Sequence, residues 1–192
     1  MAAIIHLIGY PGVGKRTVAE AIASSKPADA ADRIVLVDNH LTSSPVLAVT
    51  PRDDAGRVPD RVWQLVGAVR EQVIRAIEEL SPPEWSFVFT NVLRRSDPPG
   101  VPTSVPLQAL ALARGVPYVP VLVTCDVREH RRRVVGPGRA ERGKWTNPDA
   151  VAEFVASVDL IVPAGPHRFD LDITSLAPEE AARIILDHVR SL

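Results

Sequence analysis

The feature that most constrains this chain is a glycine-rich turn set between an apolar run and an amphipathic segment. Residues Ala2 to Ile8 are almost wholly apolar, which suits a buried strand covered on both faces of a parallel sheet. Gly9-Tyr10-Pro11-Gly12-Val13-Gly14-Lys15-Arg16-Thr17 follows at once. Val18, Ala19, Ile22 and Ala23 then recur at helical spacing, predicting a helix from Lys15 to Ser25. Gly12 and Gly14 allow a turn tight enough for successive backbone N–H groups to face one concavity. The positive end of the following helix sits behind it. Such a strand, turn and helix cradle an anion, and Lys15 can reach over its outer oxygens.

The rest of the chain repeats strand and helix. Strands are expected at Arg33–Asp38, Trp85–Thr90, Tyr118–Thr124 and Phe169–Ile173. Pro120 is an objection to the fourth strand, because proline removes a ladder donor. Helices are expected at Asp60–Leu80, Leu107–Arg114, Asp126–Val135, Asp149–Ser157 and Pro178–Val189. Leu41 to Pro59, with Pro45, Pro51, Gly56 and Pro59, reads as a long irregular connection. This alternation predicts one α/β domain over residues 1–192, with a parallel sheet and right-handed crossovers.

Composition excludes several functions. The 192 residues carry 22 Lys+Arg against 23 Asp+Glu, a net charge of −1. A domain that coats nucleic acid usually shows a basic excess, so no nucleic-acid partner is expected. The single cysteine, Cys125, rules out an intrachain disulfide and a cysteine zinc cluster. No apolar run approaches the roughly 20 residues of a membrane span, and residues Met1 to Ile8 lack the charged start of a signal peptide. A cytoplasmic protein with no membrane partner is expected.

The form G-x-x-G-x-G-K-x-T, read across Gly9 to Thr17, resembles the phosphate loop of adenylate kinase and related small P-loop kinases. With the element order, the chain resembles the adenylate kinase/shikimate kinase-like superfamily and its small-molecule kinase group. The resemblance implies a P-loop NTPase three-layer α/β fold. Its five-stranded parallel sheet would run in the order 2-3-1-4-5, with an acceptor region at about 41–60 and an arginine-rich lid at about 126–147. It also implies ATP and Mg²⁺ as cofactors. The nucleotide phosphates would rest on Gly9, Pro11, Gly12, Val13, Gly14, Lys15, Arg16 and Thr17. Arg16 stands where the plain motif has a hydroxyl, so the resemblance moves the Mg²⁺-side hydroxyl to Thr17.

Asp38 closes the second strand, where open α/β sheets bind ligands. It is a candidate to take the acceptor hydroxyl's proton or to hold Mg²⁺ through water, with an Asx-turn cap as the structural alternative. Asn39 and His40 add an amide and an imidazole beside it. Asn91 ends the third strand, where many P-loop enzymes have an acid, and is a candidate for binding the acceptor. Arg52, Arg57 and Arg61 surround the acceptor connection, where a guanidinium fork suits phosphate or carboxylate. Trp63 is a pocket wall or a core residue. From Asp126 to Lys144 seven basic residues face three acids, a local +4. Arg139 and Arg142 in that stretch are the lid cations expected over the transferring phosphoryl. Asp172, at the end of the fifth strand, reads as structural.

The expected activity is ATP-dependent phosphoryl transfer to a small-molecule acceptor, on a hydroxyl, by a monomer or homodimer. A nucleoside monophosphate kinase and a nucleotide switch with little turnover are the alternatives. Thr90-Asn91 lacks the Asp-Gly pair that nucleotide kinases carry on the acceptor strand.

Overall fold

A computed structural model describes residues 2–25, 32–53, 58–95, 104–136 and 145–192. The elements are β1 (Ile4–Ile8), α1 (Lys15–Ala23), β2 (Ile34–Asp38), α2 (Asn39–Ala48), α3 (Asp60–Leu80) and β3 (Ser86–Asn91). They continue as α4 (Ser104–Ala113), β4 (Tyr118–Thr124), α5 (Val127–Val134), α6 (Pro148–Ser157), β5 (Phe169–Asp172) and α7 (Pro178–Arg190). The five strands form one sheet in the order β2-β3-β1-β4-β5, and every pairing is parallel.

β1 is central, which explains its composition. Ile4, Ile5, Leu7 and Ile8 are each fully buried. Burying an aliphatic side chain of this size is worth about 1.5–3 kcal/mol, so this short strand anchors both layers. Strand alternation sends Ala3, Ile5 and Leu7 to the core shared with α1 and α7. Ile4 faces the opposite core, built with α3 and α4 around Phe87, Phe89, Ile74 and Leu107. His6 shares the parity of Ile4 and is also fully buried.

α3 is the longest helix because its apolar residues hold one stripe. Val62, Val66, Ile74 and Ile77 are the buried positions. Asp60 lies in the first turn, where a negative charge favours the helix dipole. β4 runs through Pro120. β5 pairs only from Val121 onward, so Pro120 has a strand neighbour on β1 alone.

The connection after β2 differs from the sequence expectation. Leu41 to Ala48 is not irregular but lies within α2, which runs on directly from the strand end and contains Pro45. Proline at this position removes the helical bond to the carbonyl of Leu41. Leu41 is 56% exposed, so water can take that carbonyl. Thr42 and Ser43 bury the other side of the helix. α4 begins at Ser104, earlier than expected, with Pro106 inside the first turn, where no donor is lost. Among the described residues, no helix is long and apolar enough to cross a membrane.

Candidate active site

The carboxyl ends of β1, β2 and β3 and the turn after β5 open on one cleft of about 1480 Å³. Its floor is the glycine-rich turn. Gly12 and Gly14 have φ of 92° and 117°, values an L side chain rarely adopts. Gly9 is needed for a different reason: a Cβ there would stand 2.5 Å from the carbonyl oxygen of Val123. Val13 turns inward and is 3% exposed in the core. Pro11, Gly12, Gly14, Lys15, Arg16 and Thr17 line the cleft. Gly14 caps α1 and has no side chain to bond the first-turn N–H groups, which leaves them to a ligand or water. Lys15 folds over the loop, its Nζ donating to the carbonyls of Gly9 at 2.7 Å and Tyr10 at 2.9 Å.

α5 packs directly on this loop. His130 Nε2 donates to the carbonyl of Pro11 at 2.7 Å. Arg133 donates from Nη1 to the carbonyl of Val13 at 2.7 Å and from Nη2 to the carbonyl of Ile173 at 2.8 Å. One guanidinium therefore clamps the glycine-rich loop to the turn after β5. Glu129 orients it, accepting from Arg133 Nε and from Arg132. The hydrogen bonds from Arg132 and Arg133 hold the Glu129 carboxyl down at about 2. Asp126 caps α5 by accepting from the N–H of Glu129, and its own N–H donates to Thr174 Oγ1. Asp172 accepts from the N–H of Thr174, which fixes the turn, and the Thr174 side chain and backbone together lower its carboxyl. That is the structural role expected of it.

The other half of the cleft lies around β2 and β3. Asp38 ends β2 with its side chain 11% exposed. It does not cap α2 through its side chain. Its Oδ2 accepts from Arg16 Nη1 at 2.9 Å, and its Oδ1 accepts from Thr90 Oγ1 at 2.6 Å. Arg16 also donates to Glu20 at 2.7 Å. The Arg16 side chain thus serves the strand end, leaving only its backbone to the expected phosphate cradle. The Glu20 hydrogen bond and the Asp38 charge raise its pKa further.

Asn91 lines the same half and is 6% exposed. It accepts from His6 Nε2 at 2.9 Å and donates to Asn39 Oδ1 at 3.1 Å. His40, Arg52, Trp63 and Arg94 also line the cleft. Arg61 does not: it lies exposed on α3, between the cleft-lining Asp60 and Trp63. Arg57, Arg139, Arg142 and Lys144 lie outside the described residues.

Three side chains at the site escape sequence reasoning. His6 is the one polar residue of its strand, and strand parity would have aimed it at the α3 side. Arg70 occupies the position between Val66 and Ile74 on the buried stripe of α3, and donates to Asn39 Oδ1 at 3.2 Å. A charge at a core position was the signal. Arg133 is one of seven cations in its stretch, and only packing separates the clamp from its neighbours.

No protein-family model matches the chain, and no curated protein matches its sequence. Solved structures do match its fold. A candidate kinase from Chloroflexus aurantiacus superposes with a TM-score of 0.67 at 15% identity, covering 99% of this chain and 97% of that one. The chain has the fold of the small P-loop kinases. The APS kinase of Mycobacterium tuberculosis, solved with AMPPNP and APS, superposes on this P-loop kinase fold with a TM-score of 0.58 at 11% identity, covering 98% of both chains. Shikimate kinase from Bacteroides thetaiotaomicron gives 0.52 at 14% identity, over 100% of this chain and 99% of that one. The expected sheet order of the P-loop kinase fold, 2-3-1-4-5, is the observed one.

Among the described residues no group of three or more His, Cys, Asp or Glu side chains could hold a metal by itself. The cleft does offer oxygen donors of the kind Mg²⁺ takes, the hydroxyl of Thr17 and the carboxylate of Asp38. Mg²⁺ commonly keeps its waters and binds one or two protein oxygens plus phosphates, so this small set fits it.

Proposed function

We propose that the chain is an ATP-dependent phosphotransferase that moves the γ-phosphoryl group to a hydroxyl of a small-molecule acceptor. One observation carries the reading: the glycine-rich loop with Lys15 and the strand-end carboxylate of Asp38 open on the same cleft. A phosphate cradle and a group able to receive a hydroxyl proton are the two things such a transfer requires.

Each residue has a role in this scheme. The loop backbone from Pro11 to Thr17 binds and orients the phosphates, and Lys15 leaves its two loop carbonyls to pair with the outer phosphate oxygens. The Thr17 hydroxyl and, through water, Asp38 would hold Mg²⁺, which offsets phosphate charge when bound. Arg16 and Thr90 keep the Asp38 carboxylate aimed. A carboxylate has about four lone-pair sites, so it can accept an acceptor hydroxyl while both contacts persist. His40, Arg52 and Asn91 line the acceptor side, while Arg61 stands at its rim. The single 1–192 domain would close its lid, about 126–147 with Arg139 and Arg142, to exclude water. The reading makes the protein a cytoplasmic monomer or homodimer acting without nucleic acid or membrane.

The test is a thermal-shift screen with ATP–Mg²⁺ against metabolite, nucleoside and antibiotic panels. A compound that raises the melting temperature further only when nucleotide is present supports the reading. Absence of any shift with ATP–Mg²⁺ contradicts it.

A further inference from the structure

A line of polar side chains runs through the interior from β4 to the acceptor side of the cleft. Tyr118 Oη lies 2.7 Å from His6 Nδ1, and His6 Nε2 lies 2.9 Å from Asn91 Oδ1. Asn91 Nδ2 lies 3.1 Å from Asn39 Oδ1, which Arg70 also reaches at 3.2 Å. An imidazole in the middle strand of a sheet costs desolvation that an isoleucine would avoid. The packing role is therefore insufficient reason for it.

The donor and acceptor inventory gives the line one direction. Asn91 Oδ1 can only accept, so His6 Nε2 must carry a proton. Full burial and the nearby Arg70 charge keep the ring neutral, with its pKa down to about 4. A neutral imidazole carries one proton, so Nδ1 accepts and Tyr118 donates. Asn91 has then spent its oxygen on His6 and must turn its amide nitrogen to Asn39. Asn39 Oδ1 receives two donors, from Asn91 and Arg70. Its Nδ2 has no partner among the described residues, and Asn39 lines the cleft.

We propose that Asn39 Nδ2 is a donor to an oxygen of the acceptor molecule, and that Tyr118, His6 and Asn91 are positioning residues that hold its amide in that orientation. The inference rests on the phosphotransferase reading for the word acceptor. The relay itself does not depend on it. The recognised chemistry is an oxygen with lone pairs, an ionised carboxylate or phosphate or a carbonyl, because the relay offers the ligand donors only. An Asn91 freed from His6 could turn over and present its own oxygen to Asn39, leaving Arg70 alone to hold the Asn39 amide.

Two measurements on the whole chain test this. The first is nitrogen NMR of the His6 ring, which needs no nucleotide. The Nε2-protonated neutral tautomer is expected throughout pH 7 to 5. An Nδ1-protonated ring, or titration near the ordinary histidine value, overturns the relay. The second titrates inorganic phosphate into protein saturated with AMPPNP–Mg²⁺, so that the phosphate loop is filled. Phosphate is expected to shift the side-chain amide signals of Asn39. His6→Leu is expected to weaken phosphate roughly tenfold, and Tyr118→Phe to weaken it to a lesser degree, while His6→Gln, which keeps a donor toward Asn91, stays within about threefold. Equal affinity in His6→Leu and wild type overturns the positioning role. No response of Asn39 to phosphate overturns the ligand class. Failure of wild type to bind AMPPNP defeats the phosphotransferase reading instead, and the tautomer then decides the relay alone.

Discussion

Arg16 Nη1 donates to Asp38 Oδ2 at 2.9 Å, tying the first turn of the phosphate-loop helix to the end of β2. The two residues are 33% and 11% exposed at their side chains, so the pair is only partly screened. Asp38 is thereby fixed relative to the glycine-rich loop. We predict that Arg16→Ala lowers phosphoryl transfer by about tenfold or more while nucleotide affinity changes less, because the loop backbone remains. Asp38→Asn is expected to leave nucleotide affinity in place and lower kcat by about 100-fold or more. Calorimetry with AMPPNP and steady-state kinetics separate the two effects. An unchanged kcat in Asp38→Asn would leave that carboxylate a purely structural role.

Lys15 bonds two loop carbonyls, at 2.7 and 2.9 Å. In the proposed reaction Lys15 exchanges them for phosphate oxygens. Lys15→Ala is predicted to weaken ATP binding and abolish transfer. Calorimetry and product detection check this. Wild-type transfer by the variant would remove the phosphate-loop assignment.

Arg133 bonds the carbonyls of Val13, in the glycine-rich loop, and Ile173, in the turn after β5. Hydrogen bonds from a charged donor contribute about 1.5–3 kcal/mol each, so Arg133→Ala is predicted to lower stability by about 2 kcal/mol or more. Nucleotide affinity should fall with it, since the loop and the turn after β5 lose their common clamp. Urea unfolding and AMPPNP titration measure both. A variant unchanged in stability would show the clamp to be incidental.

His6 gives the pH dependence a definite sign. Burial holds its folded pKa down to about 4, whereas an unfolded histidine takes a proton near its ordinary value of 6.5. Between these values the unfolded chain carries the extra proton, so stability falls as pH drops toward 4 and levels off below it. From pH 7.5 to 4.5 the loss from this group is roughly 2–3 kcal/mol. Glu129, held at about 2, loses its contribution as pH falls from its ordinary value of 4.5 toward 2, so it enters only at the lower edge of this window and equally in wild type and variant. His6→Gln is predicted to flatten the slope. Urea midpoints at pH 7.5 and 4.5 check it, and an equal slope in both proteins would contradict the neutral buried ring.

Much of the architecture was legible because it rests on local patterns. The apolar run before Gly9 and the spacing of Val62, Val66, Ile74 and Ile77 follow from strand and helix periodicity alone. α2 was hidden by Pro45, whose lost hydrogen bond is offset where Leu41 faces solvent. The site was legible where a motif fixes the backbone, as at Gly12 to Thr17. It was not where long-range packing decides. Nothing local says that Arg16 reaches back to Asp38, or that Arg133 rather than Arg132 crosses to Ile173. Asn91 was visible as a strand end, but its partner His6 lies 85 positions away.

The most direct measurement follows the γ-phosphoryl group itself. The protein is incubated with ATP labelled on that group, Mg²⁺ and the acceptors selected by thermal shift, and products are identified by mass. The account predicts label on an organic hydroxyl in equal amount to the ADP formed, and its loss in Lys15→Ala and Asp38→Asn. Label recovered only as inorganic phosphate, whatever the acceptor, would contradict it.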